Sequence, residues 1–307
     1  ARIMKAIPIL IILSLILIVA CSTVDKRDRT VYQQNIQADR TILTDQEYPV
    51  HALRVVTLNL AHGRRDSLNQ HLVNNDTFRH NLDSIVAVLD RTKPHVIALQ
   101  EADAASRWSG NFDHVSYLAV TAGYPWRVHA INAKNWLFSF GTALLSALPL
   151  VDTIEHTFES SPPTLDKGFV LAQIQWPFDD GAESRSVDLI SVHLDFSRQM
   201  VREQQVNELQ SVLQARMNPT IIMGDFNSEW LKEASTIRAL AEESRFTTYQ
   251  PESTGYETYK GKRLDWILIT KDLEFVDYRV LPDTLSDHAM LVADIRFRAS
   301  TDDANPL

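Results

Sequence analysis

A single cysteine in 307 residues excludes a disulfide-stapled scaffold and any zinc site built on cysteine thiolates. A basic excess is missing as well: 30 Lys and Arg stand against 39 Asp and Glu, a net charge of −9. Proteins that coat nucleic acid draw most of their affinity from neutralised phosphates. The acidic balance therefore counts against a nucleic-acid binder, while leaving room for a nuclease with a local basic groove. GxSxG, HExxH, P-loop and CxxC patterns are absent, so no serine-hydrolase, zincin, nucleotide-cradle or thiol-redox mechanism is supported. No low-complexity linker or repeat period interrupts the stretch from about 49 to 298. What is present is 45% apolar, 22% charged and 8% aromatic, the make-up of an ordinary globular protein with a sizeable core.

Long hydrophobic runs are scarce, and the one that stands out is Ala6–Ala20, fifteen residues with Ser14 as their only polar side chain. At 1.5 Å per residue a helix of that length spans about 22 Å, short of the roughly 30 Å hydrocarbon core. Lys5 before it and small residues after it make residues 1–20 read as a secretion signal. The run ends in Ile18-Val19-Ala20-Cys21-Ser22, which resembles a bacterial lipobox. That resemblance implies cleavage before Cys21 and lipidation of its thiol and new amino terminus; a short anchor helix with an incidental cysteine is the other reading. The expectation is an exported lipoprotein held by Cys21 to a bacterial membrane, on an outer-membrane, periplasmic or surface face. Losing residues 1–20 removes Arg2 and Lys5, taking the charge from −9 to −11. Residues 21–48 are polar and lack a sustained apolar period, as a tether does. Residues 299–307 read as an unordered tail, and 49–298 as one domain, expected to be monomeric.

Within that domain, β-like runs alternate with helical patterns. Leu53–Leu60, His95–Leu99, Thr142–Ser146, Phe169–Trp176, Val187–Leu194, Thr220–Met223, Leu264–Thr270 and Ala289–Phe297 read as strands. Phe78, Leu82, Ile85, Val86 and Leu89 recur at helical spacing, which predicts a helix over Thr77–Arg91 with Asp76 as N-cap. Arg198–Met217 reads as a second helix, with Asp113–Ala122 and Leu231–Glu242 as weaker ones. Many strands with a few helices point to stacked sheets covered by helices, an α/β (α+β) class.

Chemistry-bearing residues collect where apolar strands stop or start. Asn59 ends the first run, Gln100-Glu101 follow VIAL, and His193 and Asp195 close LISVHLD. Asp225 and Asn227 follow TIIMG, Asp265 opens LDWILIT, and Ser286-Asp287-His288 open AMLVADI. Strand ends are where a rigid scaffold presents side chains convergently. One such residue is ordinarily structural; six clusters in one domain are not readily explained so.

In order and spacing, TLN, LQE, SVHLD, GDFN, LDWI and SDH resemble the motifs of the endonuclease/exonuclease/phosphatase superfamily of metal-dependent phosphoesterases, over roughly Leu53 to Arg298. The resemblance implies a four-layer α/β/β/α sandwich, two packed mixed sheets flanked by helices, with a site at one edge. It further implies Asn59, Glu101 and Asp287 as ligands of Mg²⁺, with Mn²⁺ or another divalent cation as substitutes. Asp225 would orient or deprotonate the attacking water, and Asn227 would hold the phosphate or that water. His288 would pair with Asp265, and His193 would bond a phosphoryl oxygen in the transition state. The bland reading of Gly224-Asp225-Phe226-Asn227 is a tight turn. Where relatives read GNA before the central LLS, this chain has Gly141-Thr142-Ala143, so an asparagine role there does not carry over.

Specificity is expected in the loops. Arg64 is a candidate phosphate ligand or half of a solvent-facing pair with Arg65; Arg107 and Trp108 are candidate rim residues; Lys167 is a second candidate cation or part of a surface turn. Asp195 is a candidate site residue or a loop-capping carboxylate. Asn135–Phe140 reads as a buried strand or as a lipid-touching segment. Three functions follow: a lipid-anchored phosphodiesterase or phosphatase acting on phospholipid head groups or small phosphate esters; a secreted endonuclease acting on DNA; and a catalytically silent binding module, which the intact set of motif residues argues against.

Overall fold

The computed structural model describes residues 51–69, 73–178, 183–243 and 245–298; the expected signal at 1–20, the tether at 21–48 with Cys21, and the tail at 299–307 lie outside the described residues. The chain first lays down β1 (Leu53–Asn59), α1 (Asn75–Thr92), β2 (Val96–Asp103), α2 (His114–Thr121), β3 (Trp126–Lys134) and β4 (Ser139–Ser146). It then builds β5 (Val151–Thr157), β6 (Gly168–Phe178), β7 (Glu183–His193), α3 (Gln199–Leu213), β8 (Thr220–Asp225), α4 (Thr236–Glu243), β9 (Phe246–Thr248) and β10 (Asp265–Thr270). β11 (Leu273–Val280) and β12 (Leu291–Phe297) complete it. Two six-stranded sheets result, ordered β11-β12-β1-β2-β4-β3 and β5-β6-β7-β8-β10-β9. Both are mixed: β1 and β2 are parallel across α1, β7 and β8 are parallel across α3, and the other pairs are antiparallel.

Period-two alternation along the central strands makes the layers. Val55, Ala98, Leu189, Ile221 and Ile267 point between the sheets. Their chain neighbours Val56 and Ile97 point outward onto Leu82 and Ile85 of α1, and Ile190 and Ile222 onto Leu209 of α3 and Leu240 of α4. Strands covered on both faces have no polar face to show, which is why VVTL, VIAL and TIIM are almost wholly apolar. Each fully buried Leu or Ile here contributes about 1.5–3 kcal/mol.

α1 begins two residues earlier than its apolar spacing suggests, because Asn74, not Asp76, is the cap: its side chain accepts from Thr77 N. It ends at Lys93, whose left-handed backbone sends its N–H back to Leu89 O at 2.7 Å ahead of Pro94. α3 stops at Leu213, four residues short of the expected Met217. The stretch 135–138 is a turn, with Asn135 Oδ1 accepting from Leu137 and Phe138 N, and only Ser139 onward is strand. Among the described residues no helix is long and apolar enough to cross a membrane.

Candidate active site

The topology brings the motif residues to one edge. Parallel β1 and β2 end at the same side, as do β7 and β8, so Asn59, Glu101, His193 and Asp225 all lie at strand C-terminal ends. Antiparallel partners arrive there by their starts: Asp265 opens β10 directly opposite Asp225, and His288 precedes β12, which pairs with β1. Ligand sites of open α/β sheets collect at the carboxyl ends of strands for this reason.

Local backbone departures aim the side chains. The β2–β4 register slips between Leu99 and Ala102, and Glu101 sits at φ 47°; such a bulge re-aims a side chain near a site. Beneath it, Gln100 points into the sandwich, accepting from Thr57 Oγ1 and donating to Ser191 Oγ, which donates to Leu99 O. This chain stitches the two sheets under the site. At Gly224 a Cβ would lie 2.0 Å from Val192 O, so only glycine lets β8 lie against β7 there. Asn227, at φ 50°, donates its N–H to Asp225 Oδ1 at 2.9 Å and its amide to Leu194 O at 3.0 Å. The GDFN turn and the site are therefore one structure.

Asp225 Oδ2 is the hub. Asn59 Nδ2 donates to it at 3.1 Å, His193 Nε2 lies 3.6 Å away and His288 Nε2 3.8 Å. His288 Nδ1 is 2.7 Å from Asp265 Oδ2. Burial, followed by the facing Asp265 charge, pushes the Asp225 carboxyl up to about 7. Burial alone would lower His288, but the Asp265 and Asp225 carboxylates outweigh it and raise the ring to about 10. Burial and Lys167 hold His193 well below the usual histidine range, hence neutral. Its Nδ1 faces Lys167 Nζ at 3.4 Å; an ammonium only donates, so the ring proton is assigned to Nε2, on the Asp225 side. Glu101 is flanked by His62 Nε2 at 3.4 Å and Lys167 Nζ at 3.7 Å. Although burial opposes them, these cations hold its carboxyl well below the usual range. Thr258 pins both halves of the His–Asp pair: its hydroxyl accepts from Asp265 N, its carbonyl from Ala289 N. The Tyr259 ring lies 4.6 Å from that of His288.

Residues 56–288 match the model of the Endonuclease/Exonuclease/phosphatase family. The chain belongs to this family. No curated protein sequence matches it. Among solved structures it is similar to an endonuclease/exonuclease/phosphatase family protein from Leptotrichia buccalis C-1013-b (17% identity, TM-score 0.60, 80% of this chain and 100% of that one). It is also similar to the catalytic domain of human Nocturnin with a bound sulfate anion (20%, 0.57, 81% and 94%), and to a humanised TDP2 from D. rerio (15%, 0.56, 80% and 99%). At these identities the likeness speaks for the fold: two packed mixed sheets between helices, as the motifs implied.

Within this family fold, Asn59, Glu101, His193, Asp225, Asn227, Asp265 and His288 converge, joined by Lys167. Asp287 Oδ2 holds Arg64 Nη2 at 2.5 Å, while Arg64 Nη1 donates to Ser67 O. Arg64 is thus tied into the rim rather than left facing solvent. Arg107 is exposed and lies 5.0 Å over the Trp136 ring. Asp195 is fully buried and caps its loop, accepting from Ser197 N, Ser197 Oγ, Arg198 N and Thr164 Oγ1. The Thr142 hydroxyl is directed to Asn132 Oδ1 inside the sandwich. Sequence reasoning passed over His62 and Asp103, which the fold places 2.8 Å apart beside Glu101. His62 stands just before Gly63 and the Arg64-Arg65 pair, and nothing in the sequence beside it points to Asp103.

Proposed function

We propose that the chain is a divalent-cation-dependent phosphoesterase that hydrolyses a phosphodiester by in-line attack of water, its substrate a phospholipid head group or a similar small phosphate ester. The observation that carries this reading is the buried trio Asp225, Asp265 and His288, in which two neighbouring groups have been pushed apart in acidity. A carboxyl near 7 and an imidazolium near 10 form a base and an acid poised around neutral pH.

Two donor sets lie at the edge where the cation would bind. Asp225, Asp265 and His288 offer ligand-type atoms within 4.8 Å of one another, but a protonated His288 holds no metal. Glu101 is ionised throughout the working range and offers hard oxygens, as Mg²⁺ prefers; Asn59 lies on the neighbouring strand β1, and Asp287 just before β12, the strand on the other side of β1. We assign the cation to Glu101 with Asn59 and Asp287, Asp287 sharing its carboxylate with Arg64. When bound, it would neutralise charge on a non-bridging phosphate oxygen.

The protein's own groups do the rest. Asp225 accepts the proton of the attacking water, aimed by the Asn59 and Asn227 contacts. His193 donates Nε2–H to a phosphoryl oxygen, and Lys167 keeps it in that tautomer. His288, oriented by Asp265, gives its Nε2 proton to the leaving oxygen. Donors fixed in advance need no reorganisation as charge develops.

The lipid substrate is supported by the loops. Trp136, Phe196 and Leu231 are 68%, 65% and 69% exposed, and each sits on a connection that leaves the active edge: β3–β4, β7–α3 and β8–α4. Export and anchoring through Cys21 belong to the same reading, since a tethered enzyme meets membrane substrates first. The test assays the purified protein with Mg²⁺ on sphingomyelin, other phospholipids, inositol phosphates and plasmid DNA. Chelation or Asp225→Ala should abolish turnover; activity that survives a chelator overturns the cation dependence. Plasmid cleavage without lipid turnover would make the chain a nuclease instead.

A further inference from the structure

Beside Glu101 the fold builds a second buried His–Asp pair that the mechanism above leaves unused. His62 lies in the short turn Ala61–Gly63 just after β1, with a left-handed backbone at φ 57°. The turn is held from both sides: Ala61 N donates to Asn59 Oδ1 at 3.0 Å, and Asn81 Nδ2 to Gly63 O at 2.9 Å. His62 is buried, 8% exposed as a residue. It meets the Phe140 and Trp108 rings edge-on, at 4.6 Å and 81° and at 5.6 Å and 80°. Its Nδ1 is 2.8 Å from Asp103 Oδ2, a fully buried carboxylate whose Oδ1 has no protein partner. Its Nε2 is left facing Glu101 Oε2 at 3.4 Å. The plan matches Asp265–His288: a buried carboxylate takes Nδ1, and Nε2 is presented to the acidic cluster.

We propose that His62, fixed by Asp103, is a positioning residue for Glu101, selecting which carboxylate oxygen is presented to the divalent cation; this rests on the assignment of that cation to Glu101. A glutamate carboxylate turns freely about its last torsion. Here a bulge throws Glu101 off the regular strand, and a donor on Oε2 leaves Oε1 to be shared between Lys167 and the cation. A role in packing alone explains the arrangement poorly. Two ionisable groups enclosed by Phe140 and Trp108 cost desolvation that an apolar side chain of similar size would avoid, and one oxygen of Asp103 stays without a protein partner. Partners one step removed from a metal ligand commonly change affinity 10–100-fold when lost.

The experiment measures Mn²⁺ binding to the full chain by calorimetry, with turnover of a generic phosphodiester recorded alongside. Asp103→Asn keeps the buried volume, and His62→Asn suits a left-handed backbone while removing the reach to both carboxylates. Both should weaken Mn²⁺ binding about 10–100-fold, and Glu101→Gln should abolish it. If Glu101→Gln abolishes binding while both other variants stay within about twofold of the unaltered protein, the positioning role is overturned and the cation assignment stands. If Glu101→Gln leaves binding unchanged, both fall. A measurement free of any variant guards against misfolding: Mg²⁺ addition to the unaltered protein should shift the His62 ring proton resonances, and unshifted resonances overturn the proposal.

Discussion

His288 Nδ1 lies 2.7 Å from Asp265 Oδ2, at the point where β10 starts opposite the last residue of β8. Asp265 holds the ring's orientation and its charge together. Asp265→Asn, close to isosteric, should leave the fold intact and lower kcat by about 10²–10⁴, the range of a general acid–base contribution. Steady-state kinetics on a soluble phosphodiester, with circular dichroism as the fold control, checks this.

Asp225 and His288 set the pH profile. Asp225 works ionised, so activity should rise with pH through about 7; His288 works protonated, so activity should fall as pH climbs through about 10. In Asp265→Asn the carboxylate that raises both His288 and Asp225 is gone, so both limbs should move to lower pH, the alkaline limb through His288 and the acid limb through Asp225. Profiles of kcat/KM for both proteins provide the comparison.

Gly224→Ala should be among the costliest single-methyl additions. The new Cβ would lie 2.0 Å from the Val192 carbonyl oxygen, in the strand paired with β8. A clash with backbone has no flexible neighbour to absorb it, and the expected loss is about 3 kcal/mol. Gly255→Ala meets nothing within 4 Å and carries only the strain of φ +91°, about 1 kcal/mol. Urea denaturation of the two variants separates clash from strain.

His95 predicts a pH effect on stability rather than rate. Its Nδ1 accepts from Arg54 N at 2.8 Å, and burial, followed by the Arg54 charge, lowers it to about 4. Between pH 6.5 and 4 the unfolded chain binds a proton that the folded one refuses, so stability falls as pH drops through that window and the effect levels off below it. Because the ring is only half-buried, about 2 kcal/mol is expected. His95→Gln, compared with the unaltered protein in urea at pH 7 and pH 4.5, should show a correspondingly smaller acid loss.

The strands that sequence reasoning found and those it passed over divide by position in the sheet. All eight expected strands exist. The four passed over, β3, β5, β9 and β11, are the outermost strands of the two sheets. Edge strands are half-solvated and carry charge as protection, so WRVHAINAK, VDTIEHT and LEFVDYRV break up the apolar runs that betray central strands. The site divides similarly. Asn59, Glu101, His193, Asp225, Asp265 and His288 were legible because each interrupts or bounds an apolar run. His62 was not, since its partner Asp103 stands 41 residues away and nothing local marks the contact. Arg64 and Asp195 were legible as residue types, but their partners, Asp287 and the Ser197–Arg198 turn, follow from loop geometry.

The order of strand assembly has a consequence for when the protein can act. The chain begins in one sheet, crosses to build the other, and returns only with β11 and β12. β12 seats against β1, joining the two ends of the domain, and His288 arrives on the loop that leads into it. A nascent chain emerging amino end first therefore carries every strand of its second sheet before it carries His288, the proposed acid. In the proposed mechanism the site therefore stays incomplete until β12 has docked on β1 and brought His288 to the edge, an interlock written into the topology itself.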